Sequence, residues 1–134
     1  MIALDTNVLV RFLVRDDPQQ AAEASALFAG LTEDNPAWLS REVLVELVWV
    51  LERAYRLPRA DIASAVDALL AAQEVVVESP DRIGLAVERY RQGGAGFSDH
   101  LIALAAHAAG CSATFSFDRQ AVARACMTPV PALA

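Results

Sequence analysis

The chain has 134 residues, 55% apolar and 21% charged, with 17 acidic against 11 basic residues and a formal net charge of −6. That length suits one domain, 1–134, with a buried core, and the apolar fraction excludes a disordered or collagen-like chain. The acidic balance argues against binding nucleic acid through a simple basic face, yet it leaves room for a nuclease whose metal ions supply local positive charge, and it suits a basic protein partner.

Residues 2–5 read as a short buried strand, after which DTNVLVRFLV turns to helical spacing, with Val8, Leu9, Phe12 and Leu13 on one face. Asp17 and Pro18 start a second helix as N-cap and first helical residue, and Gly30 ends it after Ala29. Residues 37–39 form a short strand, and Ser40 caps a strongly apolar helix reaching about Tyr55. Pro58 and Asp61 open another helix, to about Ala72, and the β-branched triplet 75–77 is a buried strand. Pro80 begins a helix to about Arg91. Gly93, Gly94 and Gly96 then make a break that could carry a loop over a site entrance. Ser98 is expected to cap a helix over 99–109 that Gly110 ends, residues 113–117 to form an apolar strand, and about 119–126 to form a last helix before Pro129 and Pro131. Short apolar strands alternating with helices, with no repeat or linker, predict an α/β fold with a parallel sheet covered on both faces.

No apolar run approaches the roughly 18 residues of a membrane span, and Asp5 interrupts what would be the apolar part of a signal peptide. Cys111 and Cys126 lack CxxC spacing and read as reduced core thiols. A cytoplasmic protein without a membrane role is therefore expected. All the basic residues are Arg, which base composition of the genome explains as well as any function does.

Four acids interrupt apolar surroundings. Asp5 ends MIALD, Glu46 breaks VLVELVWVL, Asp99 follows GFS, and Asp118 closes TFSFD. Carboxylates are rarely buried without a partner, because desolvating the charge is expensive, and this chain has no lysine to pair them. In open parallel sheets ligands bind at the carboxyl edge of the strands, where Asp5 stands. From Asp99 a helix of about 11 residues descends about 16 Å, and a strand of about five residues climbs back about 16 Å, so Asp118 is expected on that same edge. Glu46 lies about 9 Å inside the helix that starts at Ser40, sharing part of the face of Val43, Leu47 and Val50. Glu42, one turn earlier in a polar context, reads as a solvated first-turn acid. Each acid also has a plainer reading taken singly: Asp5 and Asp118 as N-caps, Asp99 as a first-turn acid, Glu46 as the partner of Arg11 or Arg41.

Carboxylates gathered together repel, and a hard divalent cation such as Mg²⁺ or Mn²⁺ resolves the repulsion with oxygen ligands. His100 and His107 lie seven residues apart on one helix and offer no rival ligand set. No Ser-His-Asp or Cys-His constellation and no phosphate-binding GxxxxGK[ST] loop is present. Hydrolysis of a phosphodiester by an activated water is the expected chemistry.

At these residues the chain resembles the PIN-domain family, and within it the VapC-type toxins of bacterial toxin–antitoxin pairs. LDTNVLVR, EVLVELVWVL, FSDHLIALAAHAAGC and TFSFDR match in order and spacing over essentially the whole chain. The resemblance implies a three-layer fold with a parallel, about five-stranded sheet, usually homodimeric. It implies an Mg²⁺- or Mn²⁺-dependent endoribonuclease with Asp5, Glu46, Asp99 and Asp118 as metal ligands, and Asn7 and Ser116 as polar neighbours. It also implies a cognate antitoxin that inserts a segment into the active-site groove. His100, directly after Asp99, departs from the small residues common there and is expected to tune the site.

The expected activity is thus RNA hydrolysis, with Arg11, Arg15 and Arg119 as possible phosphate contacts. Two rivals remain at this level. An Mg²⁺-dependent phosphotransfer enzyme with an aspartyl nucleophile would also place an Asp after the first strand, but usually wants a second Asp where Asn7 stands. A non-catalytic PIN-like RNA- or protein-binding domain would not need all four acids.

Overall fold

The structure, a computed structural model, describes residues 1–134. The chain packs as two compact units, Met1–Pro80 and Asp81–Ala134.

In the first unit, β1 (Ile2–Ala3) leads into α1 (Thr6–Val14) and α2 (Pro18–Ala29), followed by β2 (Ala37–Leu39), α3 (Arg41–Arg53), α4 (Arg59–Ala71) and β3 (Val75–Val77). The three strands are parallel in the order β1-β2-β3, with Ile2 opposite Ala37 and Ala37 opposite Val75. Strand β1 is shorter than the expected 2–5 and its residues are exposed rather than buried, but Leu4 still donates to the Trp38 carbonyl at 3.3 Å, so pairing reaches the residue before Asp5. Helix α1 packs on α2 and α3, α3 on α4, and α4 on β3. The core is aliphatic: Leu9, Leu39, Leu44, Leu47, Ile62 and Val66 are fully buried.

Local chemistry sets these boundaries. Asp17 accepts from the Gln20 N–H at 3.0 Å with Pro18 at the first helical position, and Ser40 accepts from Val43 N–H at 3.2 Å. Helix α1 ends at Arg15, whose left-handed backbone (φ 61°) reverses the chain toward α2. That reversal brings Asp16 back beside α1.

The second unit contains α5 (Pro80–Arg91, its first residue shared with the boundary), α6 (Phe97–Ala108), β4 (Phe115–Ser116), α7 (Arg119–Arg124) and β5 (Thr128–Pro129). Strands β4 and β5 are parallel, with the short α7 as their crossover. Tyr90 and Phe97, both buried, meet edge-on at 6.1 Å. A second buried cluster joins Ala95, just before α6, to Ala121, Ala125 and Met127.

The α/β class and the parallel pairing are as the sequence predicts, with the five strands hydrogen-bonded as three and two. Other local expectations need correction too, among them the strand over 113–117, which is reduced to Phe115–Ser116. Helix α6 begins at Phe97 with Gly96 as its N-cap, because the Asp99 carboxylate returns to the Gly96 N–H at 2.9 Å, so Ser98 is not the cap. Strand β5 was not anticipated, since Thr128 and Pro129 carry no strand pattern of their own; Thr128 donates to the Thr114 carbonyl at 2.8 Å. Cys111 and Cys126 are exposed rather than core thiols. No helix is long and apolar enough to cross a membrane.

Candidate active site

Parallel strands point their carboxyl ends the same way, and in the first unit those ends carry Asp5, Ser40 and Glu78. Glu78 fastens β3 to α3: its side chain accepts from the Arg41 backbone N–H at 2.8 Å and meets the Arg41 guanidinium at 3.3 Å. Asp5 caps α1 in extended conformation, and its Oδ1 accepts from Thr6 N–H at 2.8 Å. The other oxygen is left open.

Beside Asp5 is a hollow of about 270 Å³ lined by Asp5, Thr6, Asn7, Arg11, Glu46 and Tyr55, with Val10, Val50 and Ala54 as its apolar wall. Glu46, Val50 and Ala54 follow one another at i, i+4 and i+8, a single stripe of α3. This stripe flanks the buried face of Leu44, Leu47, Val48 and Leu51. Glu46 is exposed and makes no hydrogen bond, and neither Arg11 nor Arg41 pairs with it. Glu42 does not line the hollow.

Burial is therefore not what sets these acids apart. Asp5, Glu46 and Asp118 are exposed and Asp99 is half-buried, so the expectation of desolvated carboxylates is corrected. Three of them are held by the starts of helices. Asp5 and Asp118 each give one oxygen to a backbone N–H in the first turn of the helix they cap, Asp118 Oδ1 accepting from Ala121 at 2.9 Å, and Asp99 accepts from the N–H of Gly96, the N-cap of α6. The plainer readings, N-caps at Asp5 and Asp118 and a first-turn acid at Asp99, are thus realised, and each bond uses one carboxylate oxygen of the two. Ser116 holds the backbone for this, its Oγ accepting from Asp118 N–H at 2.9 Å.

Asp5 and Glu46 come together in the first unit. Asp99 and Asp118 belong to the second, Asp99 in the first turn of α6 and Asp118 at the N-cap of α7. No three His, Cys, Asp or Glu side chains are gathered into a ready metal cluster. The Asp5–Glu46 pair nonetheless fits a hard cation. Mg²⁺ is commonly held by one or two carboxylates, with water and phosphate filling the remaining positions. Thr6 adds a buried hydroxyl with no hydrogen-bond partner beside that pair, a polar group left unsatisfied in this state.

A family model, PIN domain, matches residues 2–126. The chain belongs to the PIN-domain family. This PIN domain is 30% identical over 121 residues to a VapC ribonuclease of Aquifex aeolicus (strain VF5), covering 90% of this chain and 89% of that protein. No solved structure shows a significant match.

The three arginines fare differently in this PIN domain. Arg11 lines the hollow and is held by Gln20 at 2.6 Å through Nε and by Asp16 at 2.9 Å through Nη1. Arg15 is turned to α2, where it donates to Ser25 at 2.8 Å, and does not line the hollow. Arg119 opens α7 and is exposed. His100 is buried, so it shapes the interior of the second unit.

Sequence reasoning missed Asp16, Gln20, Tyr55 and Glu78. Tyr55 follows the Glu46–Val50–Ala54 stripe by one residue, and that helical phase is the signal that could have found it. Its hydroxyl donates to Asp16 Oδ2 at 2.8 Å. This bond, reinforced by Arg11, holds the Asp16 carboxyl below its ordinary value of 3.8 and raises the Tyr55 phenol. Because the folded-state value is depressed, the stabilisation is complete above the ordinary value and is lost as pH falls through the depressed one. Tyr55→Phe should move the Asp16 titration upward, read by carboxyl chemical shifts; an unmoved Asp16 would refute the contact.

Proposed function

We propose that this PIN domain is a divalent-cation-dependent endoribonuclease, using Mg²⁺ or Mn²⁺ to hydrolyse RNA phosphodiester bonds, and that it is the toxin of a toxin–antitoxin pair. The observation that carries this reading is the pair of unpaired carboxylates, Asp5 and Glu46, facing one open hollow at the carboxyl end of β1. The similarity to a protein named VapC ribonuclease supports RNA as the substrate class.

Asp5 and Glu46 would hold the ion, and Asp99 and Asp118 are its further proposed ligands, as the family resemblance implies. A bound ion would supply Lewis-acid polarisation of a phosphoryl oxygen and a more acidic water. The chain's own residues bind and orient. The helix-capping bond fixes the Asp5 carboxylate, Asn7 offers an amide to the substrate, and Arg11 presents the rest of its donor fork to a phosphate. Ser116 keeps Asp118 in place, and exposed Arg119 is a second phosphate contact. A homodimer in the cytoplasm, silenced by a cognate antitoxin, completes the proposal; the net charge of −6 favours an antitoxin with a basic inhibitory segment.

The test is cleavage of a mixed RNA pool by the purified chain. Cleavage should appear with Mg²⁺ or Mn²⁺, stop with a chelator, and return when the ion is restored. Activity that persists through thorough chelation would overturn the proposal, as would intact RNA in every ion tried.

A further inference from the structure

Beyond the carboxylate hollow, Asn7 and Arg11 also line a second and larger one, of about 440 Å³, between α1 and α2. That volume lies within the roughly 300–1,000 Å³ range of small-ligand sites. One part is apolar, from Val8, Ala24 and Leu27; the other carries Gln20 and Glu23. Gln20 and Glu23 are three residues apart on α2, so they are neighbours on one helix face.

Their hydrogen bonds define what they can still offer. The Gln20 carbonyl oxygen is occupied by Arg11 Nε at 2.6 Å, which leaves the amide N–H groups as donors. Glu23 Oε1 accepts from Gln19 at 3.1 Å, which leaves the second carboxylate oxygen as an acceptor. A donor beside a charged acceptor, in a hollow that also has apolar lining, complements a flat ring that presents a carbonyl next to N–H groups. Among RNA bases, guanine best matches it, with its O6 facing Gln20 and its N1–H and N2–H facing Glu23. Single-stranded RNA is read in this way, through the exposed edges of unstacked bases.

Resting on the nuclease reading, we infer that the α1–α2 hollow is the subsite for an unpaired guanine beside the cleaved bond. Arg11, shared by both hollows, takes the phosphate that joins the two positions. Glu23 is then the specificity-determining residue, acting on base choice without touching the reacting atoms.

The test is a titration of the full chain, without metal, with each of the four nucleoside 5′-monophosphates, followed by methyl chemical shifts. Guanosine monophosphate should shift the Val8, Ala24 and Leu27 signals and bind about tenfold or more tightly than the other three. Glu23→Gln should erase that preference with little change in binding of the other nucleotides, and Arg11→Gln should weaken all four. Equal binding of all four, shifts outside α1 and α2, or no binding at all would overturn the subsite. So would the hollow being filled instead by an apolar side chain of a protein partner or a second copy. Guanine binding in a protein that cleaves no RNA with any ion would refute the nuclease reading alone, whereas RNA cleavage unaltered by Glu23→Gln would refute the subsite alone.

Discussion

Asp5→Asn and Glu46→Gln are each expected to lower metal-dependent RNA cleavage by roughly 100-fold or more, since loss of a direct ligand should at least match the upper range for its supporting contacts. These substitutions isolate charge from structure. The Asn side-chain oxygen can still cap α1 by accepting from Thr6 N–H, so Asp5→Asn keeps the helix start while removing the anionic oxygen. Glu46 makes no hydrogen bond and is exposed, so its amide is not expected to disturb the fold. Glu42→Gln is the internal control: one turn away and outside the hollow, it should cleave as the parent does. Thermal unfolding of each variant checks that a lost activity is not a lost fold. If Glu42→Gln is dead and Glu46→Gln is active, the register of α3 against the site is wrong.

Leu47→Ala should have the largest effect on stability. Leu47 follows Glu46 in sequence but lies within the buried face of α3 and is 0% exposed. Truncation removes buried methyl groups and leaves a cavity, at about 2–5 kcal/mol. That is a large part of the roughly 5–15 kcal/mol that holds a small domain together. Leu47→Met, which conserves volume, should lose less than about 1.5 kcal/mol. Denaturant unfolding followed by tryptophan fluorescence measures both, and an equal loss for the two would mean that packing at this position does not control stability.

Much of this architecture is legible in the chain because its signals are local. Pro at a first helical position, Asp or Ser just before it and β-branched triplets act over three or four residues, and they located α2, α3, β2, β3 and α5 closely. Strand β5 escaped because a two-residue ladder containing Pro129 owes its existence to pairing with β4, not to its own composition. The start of α6 was misread because glycine can serve as an N-cap, and here a later aspartate supplies the missing side-chain bond.

At the site, residue types were readable and surroundings were not. An acid within an apolar run suggested burial for Glu46, but a helix of 3.6 residues per turn can place one residue at the border of its buried face, and Glu46 occupies that border. In the Arg11–Asp16–Tyr55 network the bond from Tyr55 to Asp16 joins residues 39 positions apart, and the reversal at Arg15 brings Asp16 to Arg11. No linear spacing rule encodes such a contact.

The capping bonds have one more consequence. The N-terminus of a helix carries roughly half a positive charge, so Asp5 at α1 and Asp99 at α6 each sit against a resident counter-charge built from backbone alone. Small domains whose ligands are balanced only by their ion stay unfolded until it arrives. If the proposed cation binds here, the backbone would already bear part of that role, and folding of the chain is expected not to require the ion.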